Sequence, residues 1–162
     1  MIPRPDLSIE HLRLKTIYSN LEPGGWIEHW DGDPRVNCDD GSLPPDSSIA
    51  AFGKATWDAA ENWGHSLDTC YTMRSVMEKV GFIDVHEKAR KLPIGPWPRD
   101  PTLKEVGRLH HYQWMTGMEG WAMFLLTKYG VPRPWQKEEV QVLVAKIRQE
   151  LQTPSIHVYQ HV

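Results

Sequence analysis

Cysteine is scarce in this chain of 162 residues, which contains only Cys38 and Cys70. Two separated thiols provide neither a disulfide framework nor the paired spacing of a metal site, and they fit a reducing compartment. No apolar run approaches the roughly 20 residues that span a bilayer, and the N-terminus has no apolar signal segment. The formal net charge of −3 provides no basic surface for nucleic acid. We therefore expect a cytoplasmic protein with no bound metal, and with neither nucleic acid nor a membrane among its partners.

The chain also lacks the motif with which many α/β folds hold a nucleotide-type cofactor. That motif consists of a strand, a glycine-rich turn and a helix, with an acidic residue about 20 residues later. Only a short proline-rich lead and one predicted helix precede Leu21, and neither supplies such a motif. We therefore expect no bound cofactor.

Hydrophobic periodicity and capping residues predict an α/β chain. Asp100 followed by Pro101 is typical of a helix start, as is the run from Asp46 to Ser48, and Ser8 provides a third N-cap. The predicted helices cover about residues 9–21, 48–63, 68–80, 101–128 and 134–151, and the predicted strands cover about residues 26–30, 82–92 and 155–162.

Six short blocks of the sequence are specific in combination. Pro-Gly-Gly alone would mark any turn, whereas the run from Leu92 to Pro98, at its distance from the first block, is far more specific. The blocks are Leu21–Trp26, Asp33–Arg35, Asp39–Pro44, Gly81–Val85, Lys91–Pro98 and Ser155–His157. Together they resemble the C-terminal, substrate-side half of the fungal LaeA-like methyltransferases, which use S-adenosylmethionine (SAM). The resemblance covers nearly the whole chain from about residue 7.

The resemblance implies a truncated Rossmann-like class I methyltransferase fold, with a small mixed sheet of about three strands and several helices. We predict one such domain over residues 1–162, lacking the N-terminal half that binds the cofactor. In the full fold the strand at 25–30 pairs with a strand of that first half, so its edge would be open here. A homodimer that covers this edge is the simplest expectation, and a complex with a methyltransferase-like partner chain is the alternative.

Aromatic, methionine and polar side chains recur at spacings of three and four along the predicted helix 101–128. The resemblance places this region over the substrate, and Trp30 lies at the end of the first predicted strand. We predict that these side chains line a substrate pocket, although a core helix with satisfied polar residues is the other interpretation. The predicted substrate-binding residues are Trp30, His110, Tyr112, Trp114, Met115, Met118 and Trp121.

Four polar residues are the predicted catalytic groups, as acids, bases or hydrogen-bond donors. His29 and Asp31 lie at the C-terminal end of the first predicted strand, where open α/β sheets bind ligands. His111 and Glu119 lie on the long predicted helix. The alternative for the strand end is a turn in which the carboxylate accepts backbone amides. Adjacent histidines on a helix diverge by about 100°, so His110 and His111 are not expected to bind one metal ion.

Two functions are consistent with these residues. The leading hypothesis is a cofactor-independent natural-product cyclase, including a pericyclase, which holds an apolar polyene or polyketide-type intermediate in a near-attack geometry. The alternative is a non-catalytic partner, or one half of a split SAM-dependent methyltransferase. A truncated gene product without activity is the third interpretation.

Overall fold

The computed structural model describes residues 9–162. Its elements are α1 (Ile9–Asn20), α2 (Ser48–Trp63), α3 (Thr69–Val80), β1 (Lys91–Ile94), α4 (Pro101–Tyr129), α5 (Lys137–Leu151) and β2 (Val158–His161). No helix in this part of the chain is both long and apolar enough to cross a bilayer. All five predicted helices are confirmed, although α5 begins at Lys137 rather than near Pro134. The predicted cap Ser8 lies outside the described residues.

The contacts between residues divide the chain into two compact units. Among the described residues, unit 1 consists of residues 9–31 together with Asp68–Ala89, and unit 2 consists of Gly32–Leu67 together with Arg90–Val162. Each unit is therefore assembled from two separate stretches of sequence. The expectation of one methyltransferase-like domain over residues 1–162 stays a prediction.

In unit 1, α1 packs against α3 through the buried side chains of Leu14, Met73 and Met77. The helix α3 ends at Gly81, whose φ of 117° is the left-handed conformation that commonly terminates helices. Apolar side chains of the first helix and its end, at Leu12, Leu14, Ile17, Tyr18 and Leu21, differ in burial, and only Leu14 of these is buried. Leu12, Ile17 and Tyr18 are exposed, and Leu21 is half-buried.

In unit 2, the long helix α4 packs against α2, α5 and β1. It begins where the sequence predicts, because the Asp100 side chain accepts a hydrogen bond from the Leu103 amide (2.8 Å) and Pro101 lies in the first turn. The core between these elements consists of large apolar side chains, each of which contributes about 1.5–3 kcal/mol on burial. The largest are Phe52, Ile49, Leu126, Ile147, Val140, Val144 and Val158.

The loop after β1 lies directly against α4 at two glycines. Gly95 has a φ of 119°, and its amide donates to the carbonyl oxygen of Gly107 (3.0 Å). A Cβ on Gly107 would be 2.0 Å from the Gly95 carbonyl oxygen. Only glycine fits at this point of α4 without a shift of one backbone against the other.

The N-terminus of α2 is capped by Ser47 and by a carboxylate near the end of α5. The Ser47 hydroxyl accepts the amides of Ile49 (3.1 Å) and Ala50 (3.4 Å), and it donates to Glu150 (2.6 Å). The Glu150 carboxylate also accepts the amides of Ser48 (2.7 Å) and Ile49 (3.2 Å). It therefore satisfies amides that have no partner within the helix, and it joins α5 to α2.

The sheet of unit 2 consists of β1 and β2, which pair antiparallel with Lys91 opposite His161. On the other side of β2, Asn37 and Tyr159 exchange both of their backbone hydrogen bonds (2.8 and 3.0 Å). The strand predicted at 155–162 is thus confirmed over β2 alone. The segment around Asn37 is held beside it by an isolated bridge.

The predicted mixed sheet of about three strands is wrong, since residues 9–162 contain two strands, which are antiparallel. Residues 26–30 and 82–90 form no strand, and the strand predicted over 82–92 is confined to its last residues, in β1. A strand forms only where a neighbouring segment exchanges backbone hydrogen bonds with it. The spacing of Phe82 and Val85 instead reflects their packing around the small core of unit 1.

Candidate functional site

The predicted pocket-lining face of α4 is divided between the core and the surface. Trp114 and Met118 are only 7% and 6% exposed and belong to the core of unit 2. Met115 is half-buried, whereas Tyr112 and Trp121 are exposed. A role of these five side chains in substrate binding stays a prediction.

Both ring nitrogens of His110 are engaged inside unit 2. Its Nδ1 donates to the Pro93 carbonyl oxygen (3.0 Å), and its Nε2 accepts the indole N–H of Trp114 (3.2 Å). Burial lowers the pKa of His110, although the hydrogen bond to Pro93 opposes that shift. The residue is therefore a neutral imidazole that joins α4 to β1.

The predicted catalytic residues of α4 contact α5. The Nε2 of His111 donates to the Leu151 carbonyl oxygen (3.1 Å), and a Glu119 carboxylate oxygen lies 3.1 Å from the guanidinium of Arg148. Arg148 also donates to the Met115 carbonyl oxygen (3.1 Å). These contacts hold the two helices together, and the catalytic role of His111 and Glu119 stays a prediction.

The three predicted site residues at the end of the first predicted strand, His29, Trp30 and Asp31, lie in unit 1. The structure brings His29 and Asp31 together, with 3.7 Å between the His29 Nε2 and an Asp31 carboxylate oxygen. The Thr69 hydroxyl donates to the same carboxylate. Trp30, between them, is exposed. Their catalytic and binding roles stay predictions.

A small cleft in unit 2 collects polar side chains from three separate segments. It has a volume of about 100 Å³. Its walls come from the loop after Asn37, from the loop after β1 and from the beginning of β2. The lining residues are Asp39, Asp40, Trp97, His157 and Tyr159.

Asp40 is the centre of the hydrogen bonds in this cleft. One of its carboxylate oxygens lies 2.6 Å from the Nδ1 of His157. The other accepts the Ser42 amide (3.0 Å) and the Cys38 thiol (3.2 Å). Hydrogen bonds from Ser42, and then from His157 and Cys38, hold the pKa of Asp40 well below its usual range. The carboxylate is therefore ionised, and it accepts a hydrogen bond from the imidazole Nδ1–H.

Asp39, the neighbouring carboxylate, has its own set of partners. Lys91 forms an ion pair with one oxygen (2.5 Å), and the Tyr159 hydroxyl donates to the other (2.7 Å). The hydrogen bonds from Lys91 and then Tyr159 lower the pKa of Asp39, and the same carboxylate raises the pKa of Lys91. The charge of Asp39 is thus compensated locally, so the two carboxylates in the cleft have different partners.

The cleft was not among the sites predicted from the sequence. The blocks Asp39–Pro44 and Ser155–His157 carried the family resemblance, but they are more than a hundred residues apart. Their pairing depends on the bridge between Asn37 and Tyr159, which no local pattern predicts. One feature of the sequence could have indicated the site. Both blocks contain ionisable residues, Asp39 and Asp40 in the first and His157 in the second.

The two strands of residues 9–162 are not part of the glycine-rich motif that holds a nucleotide-type cofactor. Neither strand leads into a glycine-rich turn that would let a cofactor approach the backbone. β1 continues into Gly95, Pro96, Trp97 and Pro98, where three of the four residues carry rings. Residues 9–162 also contain no group of three or more His, Cys, Asp or Glu side chains placed to hold a metal ion.

The chain is similar to fungal proteins of secondary metabolism. It is 33% identical over 144 residues to the methyltransferase pytC of Aspergillus terreus, a match that covers 89% of this chain and 44% of the relative. It is 32% identical over 148 residues to the secondary metabolism regulator LAE1 of Cochliobolus heterostrophus, covering 90% and 47%. It is 26% identical over 145 residues to the probable methyltransferase tdiE of Emericella nidulans, covering 90% and 45%.

No protein-family model matches the chain, and no solved structure matches it. The similarity to the three relatives nevertheless extends over about nine-tenths of the chain, which spans less than half the length of each relative. The chain is therefore a relative of the fungal LaeA-like methyltransferases of secondary metabolism and corresponds to under half of their length.

Proposed function

We propose that this chain supplies the substrate-side half of a SAM-dependent methyltransferase of secondary metabolism, and that a SAM-binding half of the same fold completes it. The observation that carries the proposal is the extent of the similarity. About nine-tenths of the chain matches relatives that include two named methyltransferases, over less than half of their length. Neither strand of residues 9–162 leads into a glycine-rich turn of the kind that holds such a cofactor, and we assign SAM binding to the other half.

An exposed aromatic segment of unit 1 supports this proposal. Trp26 and Trp30 are 79% and 76% exposed. Tryptophan is enriched in protein–protein interfaces. We assign residues 26–30 to the interface with the SAM-binding half.

The cofactor-independent cyclase has weaker support. An enzyme that encloses a whole polyene or polyketide needs a pocket of about 300–1,000 Å³. The cleft at Asp40 and His157 has about 100 Å³ and admits only one end of such a molecule. Two of the predicted pocket residues, Trp114 and Met118, are occupied with core packing. Cyclisation therefore stays a prediction.

SAM titration by calorimetry tests the proposed function. The chain would be titrated alone and after mixing with the N-terminal half of the Aspergillus terreus relative. We expect no binding by the chain alone and one SAM per complex. Micromolar binding of SAM by the isolated chain would contradict the proposal. Conversion of a polyene intermediate by the isolated chain, without SAM, would favour the cyclase.

Replacing both tryptophans of residues 26–30 tests the assigned interface. The double variant Trp26→Ser, Trp30→Ser should weaken the affinity for the SAM-binding half at least about tenfold, since buried aromatic anchors carry much of the energy of interfaces. Leu109→Ser is the matched control, because Leu109 is also exposed (65%) but lies on α4. Surface plasmon resonance gives the dissociation constants. Equal affinities of the double variant and the control would refute the interface.

A further inference from the structure

Asp40 and His157 form a hydrogen-bonded pair in the cleft, and neither is among the catalytic residues predicted from the sequence. We propose that it is a proton-accepting pair, and that its ligand is the acidic hydroxyl of a phenol or enol that enters the cleft. A phenol or enol would be the substrate class of the proposed methyltransferase. This inference rests on the proposed function in one respect only, namely that the cleft faces the substrate. The geometry of the pair stands independently of that function.

The direction of the hydrogen bond between the two residues follows from the partners of Asp40. Both carboxylate oxygens accept: one from the Ser42 amide (3.0 Å) and the Cys38 thiol (3.2 Å), the other from His157. An ionised carboxylate has no hydrogen to donate. The Nδ1 of a neutral His157 therefore carries the hydrogen, and its Nε2 carries the lone pair that can accept a proton.

The imidazole is held in place on several sides. The His157 amide donates to the Ser42 hydroxyl (2.9 Å), so the loop that positions Asp40 also positions the histidine backbone. The ring of Trp97 lies 5.4 Å from the imidazole, centroid to centroid, and its indole N–H is anchored on the Val158 carbonyl oxygen (3.1 Å). A fixed base requires less reorganisation during proton transfer than a mobile one.

His110 and His111, which also lie in unit 2, differ from His157 in the partners of their ring nitrogens. His110 has both ring nitrogens engaged, with Pro93 and Trp114, and is buried. The Nε2 of His111 donates to the Leu151 carbonyl oxygen. Of these three histidines, His157 is the one that pairs with a carboxylate and lines a cleft, an arrangement that suits a general base.

The proposed step is a simple proton transfer. The O–H bond of the ligand breaks, its electron pair stays on the oxygen, and the proton forms an N–H bond at His157 Nε2. The carboxylate of Asp40 stabilises the imidazolium, as it already accepts the hydrogen at Nδ1. The other carboxylate of the cleft, Asp39, is bound by Lys91 and by the Tyr159 hydroxyl. It therefore competes little with Asp40 for the imidazole N–H. A phenolate or enolate is the product, which is the nucleophilic form of such a hydroxyl.

The tautomer of His157 provides the first test. Long-range proton–nitrogen NMR correlations on the full chain should show the hydrogen on Nδ1 in the wild-type protein. Asp40→Asn should give a mixture of tautomers, because an amide can either donate to Nδ1 or accept from it. Asp46→Asn is the control, since Asp46 is exposed and does not line the cleft, and it should leave the Nδ1–H tautomer unchanged. A wild-type hydrogen on Nε2, or no effect of Asp40→Asn, would overturn the pair.

Chemical acylation tests whether the accepting nitrogen is open to the cleft. Diethyl pyrocarbonate reacts with unprotonated, accessible imidazole nitrogens, and peptide mass spectrometry locates the product. His157 should react at least about tenfold faster than His110, whose nitrogens are engaged and buried. Equal rates would contradict an accessible Nε2. This measurement uses the wild-type protein and does not depend on the folding of any variant.

The ligand class is tested with p-nitrophenol, whose phenolate absorbs visible light. The pH is set below the pKa of the free phenol, where little phenolate forms in solution. Adding the protein should raise the phenolate absorbance, and His157→Gln should reduce this increase at least about tenfold. Asp46→Asn should retain it, because Asp46 is exposed and does not line the cleft. No increase with the wild-type protein would overturn the ligand class. A normal increase without SAM binding in the mixed complex would retain the pair and remove the methyltransferase proposal.

Discussion

Gly107→Ala is expected to destabilise the protein by about 3 kcal/mol, at the upper end of the usual cost of overpacking. The new Cβ would lie 2.0 Å from the carbonyl oxygen of Gly95 and 2.9 Å from its carbonyl carbon. Both atoms belong to the backbone, so no side-chain rotation relieves the contact. Gly95 has a φ of 119° and donates to the Gly107 carbonyl oxygen, which leaves the loop little freedom to withdraw.

The same substitution elsewhere on α4 should have the opposite sign. A Cβ on Gly117 or Gly120 would meet no atom within 4 Å. Alanine there should stabilise by about 0.5–1 kcal/mol, because it reduces the freedom of the unfolded chain and suits a helix. Urea unfolding measures all three variants. If Gly107→Ala unfolded at the same urea concentration as Gly117→Ala, the close contact of the two backbones would be wrong.

Glu150→Ala is expected to cost about 2–3 kcal/mol, the scale of hydrogen bonds to a charged group. The variant removes the acceptor of the Ser47 hydroxyl and of the Ser48 and Ile49 amides. It also removes a negative charge from the positive end of α2. Gln149→Ala is the control, since Gln149 is exposed and adjacent on α5. Equal unfolding midpoints for the two variants would show that Glu150 does not cap α2.

The pH dependence of this effect has a definite sign. Burial would raise the pKa of Glu150, but hydrogen bonds from Ser47, Ser48 and Ile49 outweigh it and lower the pKa in the folded protein. A carboxylate with a lowered folded pKa contributes stability above its unfolded pKa of about 4.3, and loses it as the pH falls through the folded value. The stability difference between wild type and Glu150→Gln should therefore shrink below about pH 4. A constant difference would contradict the shift.

The helices could be predicted because their ends are encoded locally. Ser47 and Gly64 bracket α2, and both cap it as expected. Asp100 followed by Pro101 likewise places the beginning of α4. Capping depends on residues within one turn, so the sequence alone contains the necessary information.

The strands were harder to predict, because pairing depends on a partner that may be far along the chain. Residues 26–30 have an apolar, strand-like composition, but no strand of residues 9–162 pairs with them. Only four residues of the predicted segment at 155–162 pair with β1. The amino-acid composition of a segment indicates whether its side chains suit a sheet. Whether the segment becomes a strand depends on a second segment that pairs with its backbone.

The site illustrates the same difference. The periodicity of α4 predicts one apolar face, yet the face becomes core or pocket according to what lies opposite. Phe52 from α2 lies 5.8 Å from Trp114, ring to ring, and Val144 from α5 is buried in the same cluster. Asp40 and His157 come together only through the completed fold. Sequence spacing therefore identified a buried face but not the cleft.

The position of β2 in the chain has a consequence for biosynthesis. Among the elements of residues 9–162, β2 is synthesised last, yet it pairs with β1 and with the segment at Asn37. Contacts between such distant residues form late and slowly. At a synthesis rate of about 5–20 residues per second, β2 is made several seconds after the elements that precede α5. During that interval the nascent chain presents apolar surface to chaperones, and a product that terminates before His157 would have neither its sheet nor the Asp40 partner.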